Sequence, residues 1–185
     1  PDIWNQEHKL CYYKSVFSQS ITNKLIKLSN HNTLLTTRQS KWIKLETIPD
    51  IVSHLARISG FNTERFENMC VVKYPPKYVH NIHLDAYDLT HETGIKYTGR
   101  GGQRIFTITG VLSPSIYLSF KELDIERVPE IGSVIIYKNT EGDTNFRTTK
   151  LNKRFTNANQ EESVYLFHIY VREWNAKKTE ADLSV

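Results

Sequence analysis

Two side chains in the segment VHNIHLDAYD, residues 79–88, have the types and spacing of metal ligands. His83 and Asp85 lie two residues apart, so on an extended strand both side chains emerge on the same face. A non-haem iron(II) oxygenase holds its metal with two histidines and one carboxylate on one face of an octahedron. A histidine and an aspartate at this spacing are common by chance, so the rest of the chain must supply a third ligand.

The elements that must position this motif are two helices followed by a β-rich region. Residues 18–30 carry apolar side chains at helical spacing after the cap candidates Ser18 and Ser20. The segment ETIPDIVSHLARISG has Pro49 in its first turn and Gly60 as its C-cap, which predicts a second helix. Short apolar runs separated by turns follow, including a predicted strand NIHLDAYD around the motif. This order predicts a sandwich or jelly roll with a helical buttress.

Length and charge exclude several classes of protein. The 185 residues predict a single domain over residues 1–175 with a flexible tail at 176–185. No apolar run approaches the ~20 residues of a membrane helix, so no membrane partner is expected. The net charge of +4 is too small to indicate nucleic acid, and the basic run TTKLNKRF, residues 148–155, is interpreted as a solvated loop.

The composition also bears on the compartment and the source. Two cysteines without metal-ligand spacing favour a reducing, cytoplasmic compartment. The richness in isoleucine, asparagine, lysine and tyrosine is typical of an AT-rich genome, so a virus, a phage or a low-GC bacterium is the expected source. A virion-associated role would agree with that source.

A series of motifs surrounds the HLD tripeptide in a defined order. TRQSKWI, LARISGFNTERFENMCVVKY and HLDAYD are followed by GGQRIFTITGVLS, VPEIGSVIIYKNTEGD and YVREW. The positions that carry the pattern are Arg38, Ser40, Arg57, Ile58, Glu67, Tyr74 and His83. From Thr37 to Trp174, this series resembles the catalytic domain of the prolyl 4-hydroxylase family. The resemblance implies a mainly β, cupin-like double-stranded β-helix (jelly roll) with N-terminal helices. It also implies Fe(II) and 2-oxoglutarate as cofactors and hydroxylation of a protein side chain.

The same resemblance shows where the chain departs from the family. His83 and Asp85 match two iron ligands, but the second iron histidine would fall at Thr148, and no histidine lies between His91 and His168. The lysine or arginine that pairs with the far carboxylate of 2-oxoglutarate is replaced by Val164. Threonine cannot replace a histidine as an iron ligand, and valine cannot pair with a carboxylate. A buried carboxylate without its cationic partner costs about 3 to 5 kcal/mol. The predicted iron and 2-oxoglutarate site is therefore incomplete.

Some residues could substitute for the missing groups. His168 shares a strand face with Val164 and is a candidate third ligand, although a satisfied core histidine is the favoured interpretation. His91 is interpreted as a solvated loop histidine. For the cosubstrate, the tyrosine three residues before the first iron histidine is replaced by His80, and Tyr78 is the candidate substitute. Arg104 is a second candidate, with a solvated strand arginine as the alternative.

Two hypotheses of different class follow from this pattern. The favoured one is a non-catalytic domain of the oxygenase fold that binds a protein partner or acts as a scaffold. The alternative is an active Fe(II)/2-oxoglutarate-dependent dioxygenase with rearranged ligands that hydroxylates a protein side chain.

Overall fold

The computed structural model describes residues 1–99, 101–140 and 152–176. The helices are α1 (Gln19–Ser29), α2 (Pro49–Ser59) and α3 (Glu92–Thr98). The strands are β1 (Asp2–Asn5), β2 (Leu10–Tyr13), β3 (Gln39–Ile43), β4 (Met69–Tyr74), β5 (Arg104–Val111), β6 (Ile116–Phe120), β7 (Ile125–Arg127), β8 (Val134–Lys138), β9 (Lys153–Asn157) and β10 (Val164–Arg172). None of the described helices is long and apolar enough to cross a membrane.

The first two helices begin and end where the sequence predicts. The Ser18 side chain accepts a hydrogen bond from the backbone of Ile21 at 3.4 Å, which caps the first turn of α1. Helix α2 starts at Pro49 and is capped at its C-terminus by Gly60, whose φ of 75° is a left-handed conformation that glycine adopts without strain. The short helix α3 and the N-terminal strands β1 and β2 were not predicted.

The strands form two antiparallel sheets that face each other. The large sheet has the order β1-β2-β8-β5-β10-β4-β3, and the small sheet has the order β7-β6-β9. One layer of the core lies between the sheets and includes Val72, Val111, Leu118, Ile135 and Leu166. A second layer lies between the large sheet and the helices and includes Leu25, Leu55, Phe66, Phe167 and Ile169. The fold is a mainly β jelly roll of the double-stranded β-helix type, as predicted.

The segment before the motif joins the small sheet without forming a regular strand. Bridges connect Val79 with Thr156 and His83 with Lys153, so this segment runs beside β9. The prediction of a continuous strand NIHLDAYD is therefore wrong, although the alternation that places His83 and Asp85 on one face is retained locally.

The prediction of a solvated loop at 148–155 is wrong for the described part of that run. Strand β9 begins at Lys153, and its side chains alternate between the interior and the solvent. Lys153, Phe155 and Asn157 are buried, whereas Arg154 is exposed. The period-2 pattern was hidden because a lysine occupies an inward position where an apolar residue is usual.

Candidate metal site and its surroundings

Asp85 lies at the centre of a polar layer in the interior of the jelly roll. Its Oδ2 accepts hydrogen bonds from the Thr107 hydroxyl at 2.7 Å and from the Tyr137 hydroxyl at 3.1 Å. Thr107 in turn accepts a hydrogen bond from Asn139 Nδ2 at 2.8 Å. The same Asp85 oxygen lies 2.6 Å from Lys153 Nζ. Side chains from β5, β8 and β9 therefore converge on one carboxylate oxygen.

Strand β9 places Lys153 directly opposite the metal motif. The backbone groups of Lys153 and His83 exchange two hydrogen bonds of 3.2 Å, which directs the lysine side chain into the interior. The side chains of Lys153 and Asp85 are only 1% and 4% exposed. Two opposite charges at this distance and depth form a buried ion pair.

The charges around Asp85 stabilise its ionised form. Burial alone would raise the pKa of the Asp85 carboxyl, but the nearby charges, led by Lys153, hold that pKa well below its usual range. Burial lowers the pKa of Lys153, and the Asp85 carboxylate opposes this effect. The Asp85 carboxylate and the Lys153 ammonium therefore each favour the ionised form of the other.

His83 retains the position of a second metal ligand. Its Nε2 lies 3.6 Å from Asp85 Oδ1, while its Nδ1 lies 2.9 Å from the carbonyl oxygen of Asn81. A carbonyl accepts, so Nδ1 carries the proton and Nε2 has a free lone pair. Burial, followed by Lys153, lowers the pKa of the ring and keeps it neutral. Two ligands about 2.1 Å from one metal and at right angles would be roughly 3 Å apart, so the observed spacing is only slightly wide.

Among the described residues, no third ligand joins this pair. His168 faces the interior, but its Nδ1 lies 2.8 Å from the Thr109 hydroxyl, and burial lowers its pKa to about 3. His91 is exposed and lies 3.7 Å from Asp88. Thr148 is outside the described residues. Over residues 1–99, 101–140 and 152–176, no group of three histidine, cysteine or acidic side chains is arranged to hold a metal ion.

These observations test whether the residues fit an iron ion. Asp85 is the carboxylate that would ligate iron, and its Oδ2 already lies 2.6 Å from the Lys153 ammonium. The same oxygen also accepts hydrogen bonds from two hydroxyl groups. A divalent ion bound by the other oxygen would face a second cation in a low-dielectric interior. The described donor set therefore does not fit an iron centre.

Comparison with known proteins agrees with this architecture. No family model and no curated protein matches the sequence. The structure is similar to the viral collagen prolyl hydroxylase of Paramecium bursaria Chlorella virus-1 in its 2OG complex, with a TM-score of 0.69 and 15% identity over 88% of this chain and 94% of that chain. It is also similar to a Pseudomonas putida prolyl-4-hydroxylase, with a TM-score of 0.52 and 11% identity over 90% of this chain and 94% of that chain.

A third similar structure is a prolyl hydroxylase from Trichoplax adhaerens in complex with a hypoxia inducible factor peptide fragment. Its TM-score is 0.54 at 11% identity, over 93% of this chain and 86% of that chain. The fold is therefore that of the prolyl 4-hydroxylases. At such low identity, the chemistry of this chain has to be argued from its own residues.

Within the prolyl 4-hydroxylase fold, the cosubstrate candidates lie in different surroundings. Val164 is buried between the sheets, where it pairs with Tyr74 and contributes an apolar surface. Tyr78 is half-buried, with its ring stacked on that of Tyr74 at a centroid distance of 5.4 Å. His80 lies beside them, with its Nδ1 3.0 Å from the Tyr74 hydroxyl. Tyr74, Tyr78 and His80 form an aromatic wall next to His83, and the Arg38 guanidinium lies 5.8 Å from the centroid of the Tyr74 ring.

Arg104 is neither a solvated arginine nor a free anion ligand. Its guanidinium forms a bidentate pair with Glu67 at 2.9 and 2.7 Å and lies 3.7 Å above the Tyr170 ring. Arg172 also contacts Glu67 at 3.0 Å and donates to the carbonyl oxygens of Gly102 and Tyr97. This cluster ties the ends of β5 and β10 to Glu67, which precedes β4, and to α3 through Tyr97.

Lys153 is the residue that sequence reasoning missed. A signal was present, because Lys153, Phe155 and Asn157 alternate with polar residues at strand spacing. Its partner Asp85 lies far away in sequence, and no local pattern connects the two. The resemblance indicated that the second iron histidine is missing, but it did not indicate that the Lys153 ammonium lies beside Asp85.

Proposed function

We propose that this chain is a non-catalytic, protein-binding member of the prolyl 4-hydroxylase fold, in which the Lys153 ammonium replaces the metal ion. The single observation that carries the proposal is the 2.6 Å separation of Lys153 Nζ from Asp85 Oδ2 in the interior. A polypeptide is the proposed partner class, supported by the peptide complex of the Trichoplax adhaerens structure. In this proposal the fold binds a polypeptide, and the Asp85–Lys153 ion pair stabilises the domain.

A metal ion bound to Asp85 would have to displace the Lys153 ammonium. Lys153 is buried, so moving its ammonium away from Asp85 would leave a charge without a partner, at a cost of about 3 to 5 kcal/mol. Iron(II) would have to recover that free energy from His83 and one carboxylate oxygen. Selective retention of a first-row metal depends on the number and geometry of its ligands, and two protein ligands are a weak set.

The test is an anaerobic titration with iron(II) and 2-oxoglutarate, followed by admission of oxygen. The native chain is expected to show no stoichiometric iron binding, no visible charge-transfer band and no succinate. The Lys153→His variant removes the ammonium and places an imidazole opposite His83, so we expect it to bind cobalt(II) or iron(II) more tightly than the native chain. Lys121→His, at an exposed lysine, is the matched control and should not gain affinity.

One result would favour the alternative hypothesis. Stoichiometric iron binding by the native chain, lost in His83→Ala and accompanied by succinate release, would identify an active dioxygenase and contradict the proposal. Equal metal affinity of the Lys153→His and Lys121→His variants would contradict the assignment of Lys153 as the group in the metal's place.

A further inference from the structure

Strand β3 is an end strand of the large sheet. In the described part of the chain, Gln39–Ile43 pairs with β4 and with no second strand. An end strand directs alternate backbone N–H and C=O groups away from its sheet, where another extended chain can pair with them. Ser40, Lys41 and Trp42 are consecutive and all exposed, so neither face of β3 is covered at this point. The side of β3 that faces away from β4, here called the outer edge, can therefore accept one more strand.

Trp42 provides a large apolar surface on one face of the outer edge. Trp42 pairs with Cys70, whose side chain lies in the core layer between the two sheets, and directly opposed residues of an antiparallel pair share a face. Cys70 is buried, whereas Trp42 is 56% exposed. Tryptophan is enriched among the residues that contribute most to binding energy in protein interfaces. An exposed tryptophan beside unpaired backbone groups is therefore suited to anchor an added strand.

The opposite face of the outer edge carries positive charge. Lys41 pairs with Val71, whose side chain lies in the core layer between the large sheet and the helices, so Lys41 and Trp42 point to opposite faces. Residues 36–45 contain three cations and no acidic residue. Opposite charges on neighbouring strands stabilise their pairing. The outer edge therefore complements an extended segment that alternates acidic side chains, on the face of Lys41, with apolar side chains, on the face of Trp42.

A second copy of this chain fits the outer edge poorly. Two antiparallel copies of β3 centred on Lys41 would place Lys41 opposite Lys41 and Arg38 opposite Lys44. Other registers bring no acidic side chain to these cations, because residues 36–45 contain none. Like charges directly opposite each other are destabilising, and lysine on an end strand commonly prevents pairing between copies. The same lysine favours a partner of opposite charge.

We infer that an extended acidic segment of a partner protein adds a strand to the outer edge of β3, with Trp42 as its apolar anchor. Backbone hydrogen bonds provide the pairing, and the alternation of acidic and apolar side chains provides the specificity. The inference rests on the proposed function and deepens it, because it names the surface and the chemistry of the polypeptide partner. The surface is separate from the Asp85–Lys153 ion pair, so the two can be tested independently.

The test is a titration of the isotope-labelled full chain with capped peptides, monitored by NMR. The probe acetyl-Thr-Glu-Val-Glu-Val-Glu-Thr-amide alternates acidic and apolar side chains, and acetyl-Thr-Lys-Val-Lys-Val-Lys-Thr-amide reverses its charge. We expect the acidic peptide to give saturable shifts of the β3 backbone amides and of the Trp42 indole N–H. It should also slow hydrogen exchange of the β3 amides at the outer edge. The lysine peptide should do neither.

Backbone pairing and the two side chains are tested separately. An acidic peptide with methylated amide nitrogens at its five central residues keeps its charges but lacks N–H donors, so it should bind at least about tenfold more weakly. Trp42→Ala should weaken binding of the acidic peptide about tenfold or more, and Trp174→Ala, also at a tryptophan that is 56% exposed, is the matched control. Lys41→Glu should weaken binding about threefold, with the exposed Lys121→Glu as the control.

Other results would overturn the inference. Absence of binding by the acidic peptide, equal affinity for the acidic and the lysine peptides, or unchanged affinity in Trp42→Ala would each do so. A concentration-dependent dimer in sedimentation velocity that Trp42→Ala abolishes would also do so, because β3 would then pair with a second copy. Failure of the proposed function is measured by iron binding instead: a chain that binds neither iron nor the acidic peptide contradicts only the strand addition.

Discussion

Replacement of Lys153 by methionine is the sharpest perturbation of this site. Methionine is of similar length and apolar, so the substitution removes the ammonium with little change in volume. Asp85 would then be a buried carboxylate without its cation, for which the expected destabilisation is about 3 to 5 kcal/mol. Because Thr107 and Tyr137 still donate to Asp85, we expect the lower end, about 3 kcal/mol.

The double variant Lys153→Met/Asp85→Asn isolates the charge effect. An asparagine amide oxygen can still accept from Thr107 and Tyr137, and no unpaired charge remains. Replacing a buried ion pair by neutral groups of similar volume is often neutral or stabilising, so the double variant should lie within about 1 kcal/mol of the native chain. The coupling energy in the double-mutant cycle should then reach about 2 kcal/mol or more.

The assay is urea unfolding followed by circular dichroism at neutral pH, with Lys121→Met as the exposed control. The control should change the free energy of unfolding by no more than about 0.5 kcal/mol.

The pH dependence of the free energy of unfolding gives a second check. In the native chain the folded pKa of Asp85 is lowered, so its contribution to stability is present above the unfolded pKa and is lost as pH falls.

Without Lys153, burial would raise the folded pKa of Asp85, so the penalty should be present at neutral pH and relieved as pH falls through that pKa. The difference in stability between the native chain and Lys153→Met should therefore shrink in acid. A Lys153→Met variant as stable as the native chain, or a double variant no more stable than the single one, would refute the reasoning.

Two further predictions concern groups near the site. The folded pKa of His168 is lowered to about 3 by burial, so below pH 6.5 the unfolded state takes up a proton that the native state does not, and stability should fall by about 1.4 kcal/mol per pH unit. His168→Gln should reduce the slope of unfolding free energy against pH by about one proton between pH 6 and 4, with His91→Gln as the exposed control; an unchanged slope would contradict the prediction. Glu67→Gln leaves Arg104 and Arg172 without their carboxylate and should cost about 3 kcal/mol or more in urea unfolding. A loss below 1 kcal/mol would show that the pair of arginines is solvated.

Local patterns in the sequence were sufficient for much of the fold. Helices α1 and α2 follow from apolar spacing, the Ser18 cap and Gly60, because these signals act within a few residues. Strands β4, β5, β8 and β10 are long apolar runs, since both of their faces are buried. Strands β1 and β2 and the short helix α3 lack such patterns.

The site itself was predictable only in part, for a physical reason. The spacing of His83 and Asp85 is local, so their shared face could be read from the sequence. The hydrogen-bond and ion-pair partners of Asp85 come from β5, β8 and β9. Arg104 forms an ion pair with Glu67, which lies just before β4. Ion pairs between residues far apart in sequence depend on which strands become neighbours, and the periodicity of the sequence does not predict which strands pair.

The buried ion pair of Lys153 and Asp85 also bears on how the two sheets are held together. In a metal centre, one ion ties the motif segment to the strand opposite. Here the Asp85 carboxylate contacts side chains from both sheets. It pairs with Lys153 on β9 and accepts hydrogen bonds from Thr107 on β5 and Tyr137 on β8. The Asp85 carboxylate, with one cation from β9 and two hydroxyl donors from β5 and β8, thus forms a cross-link between the sheets.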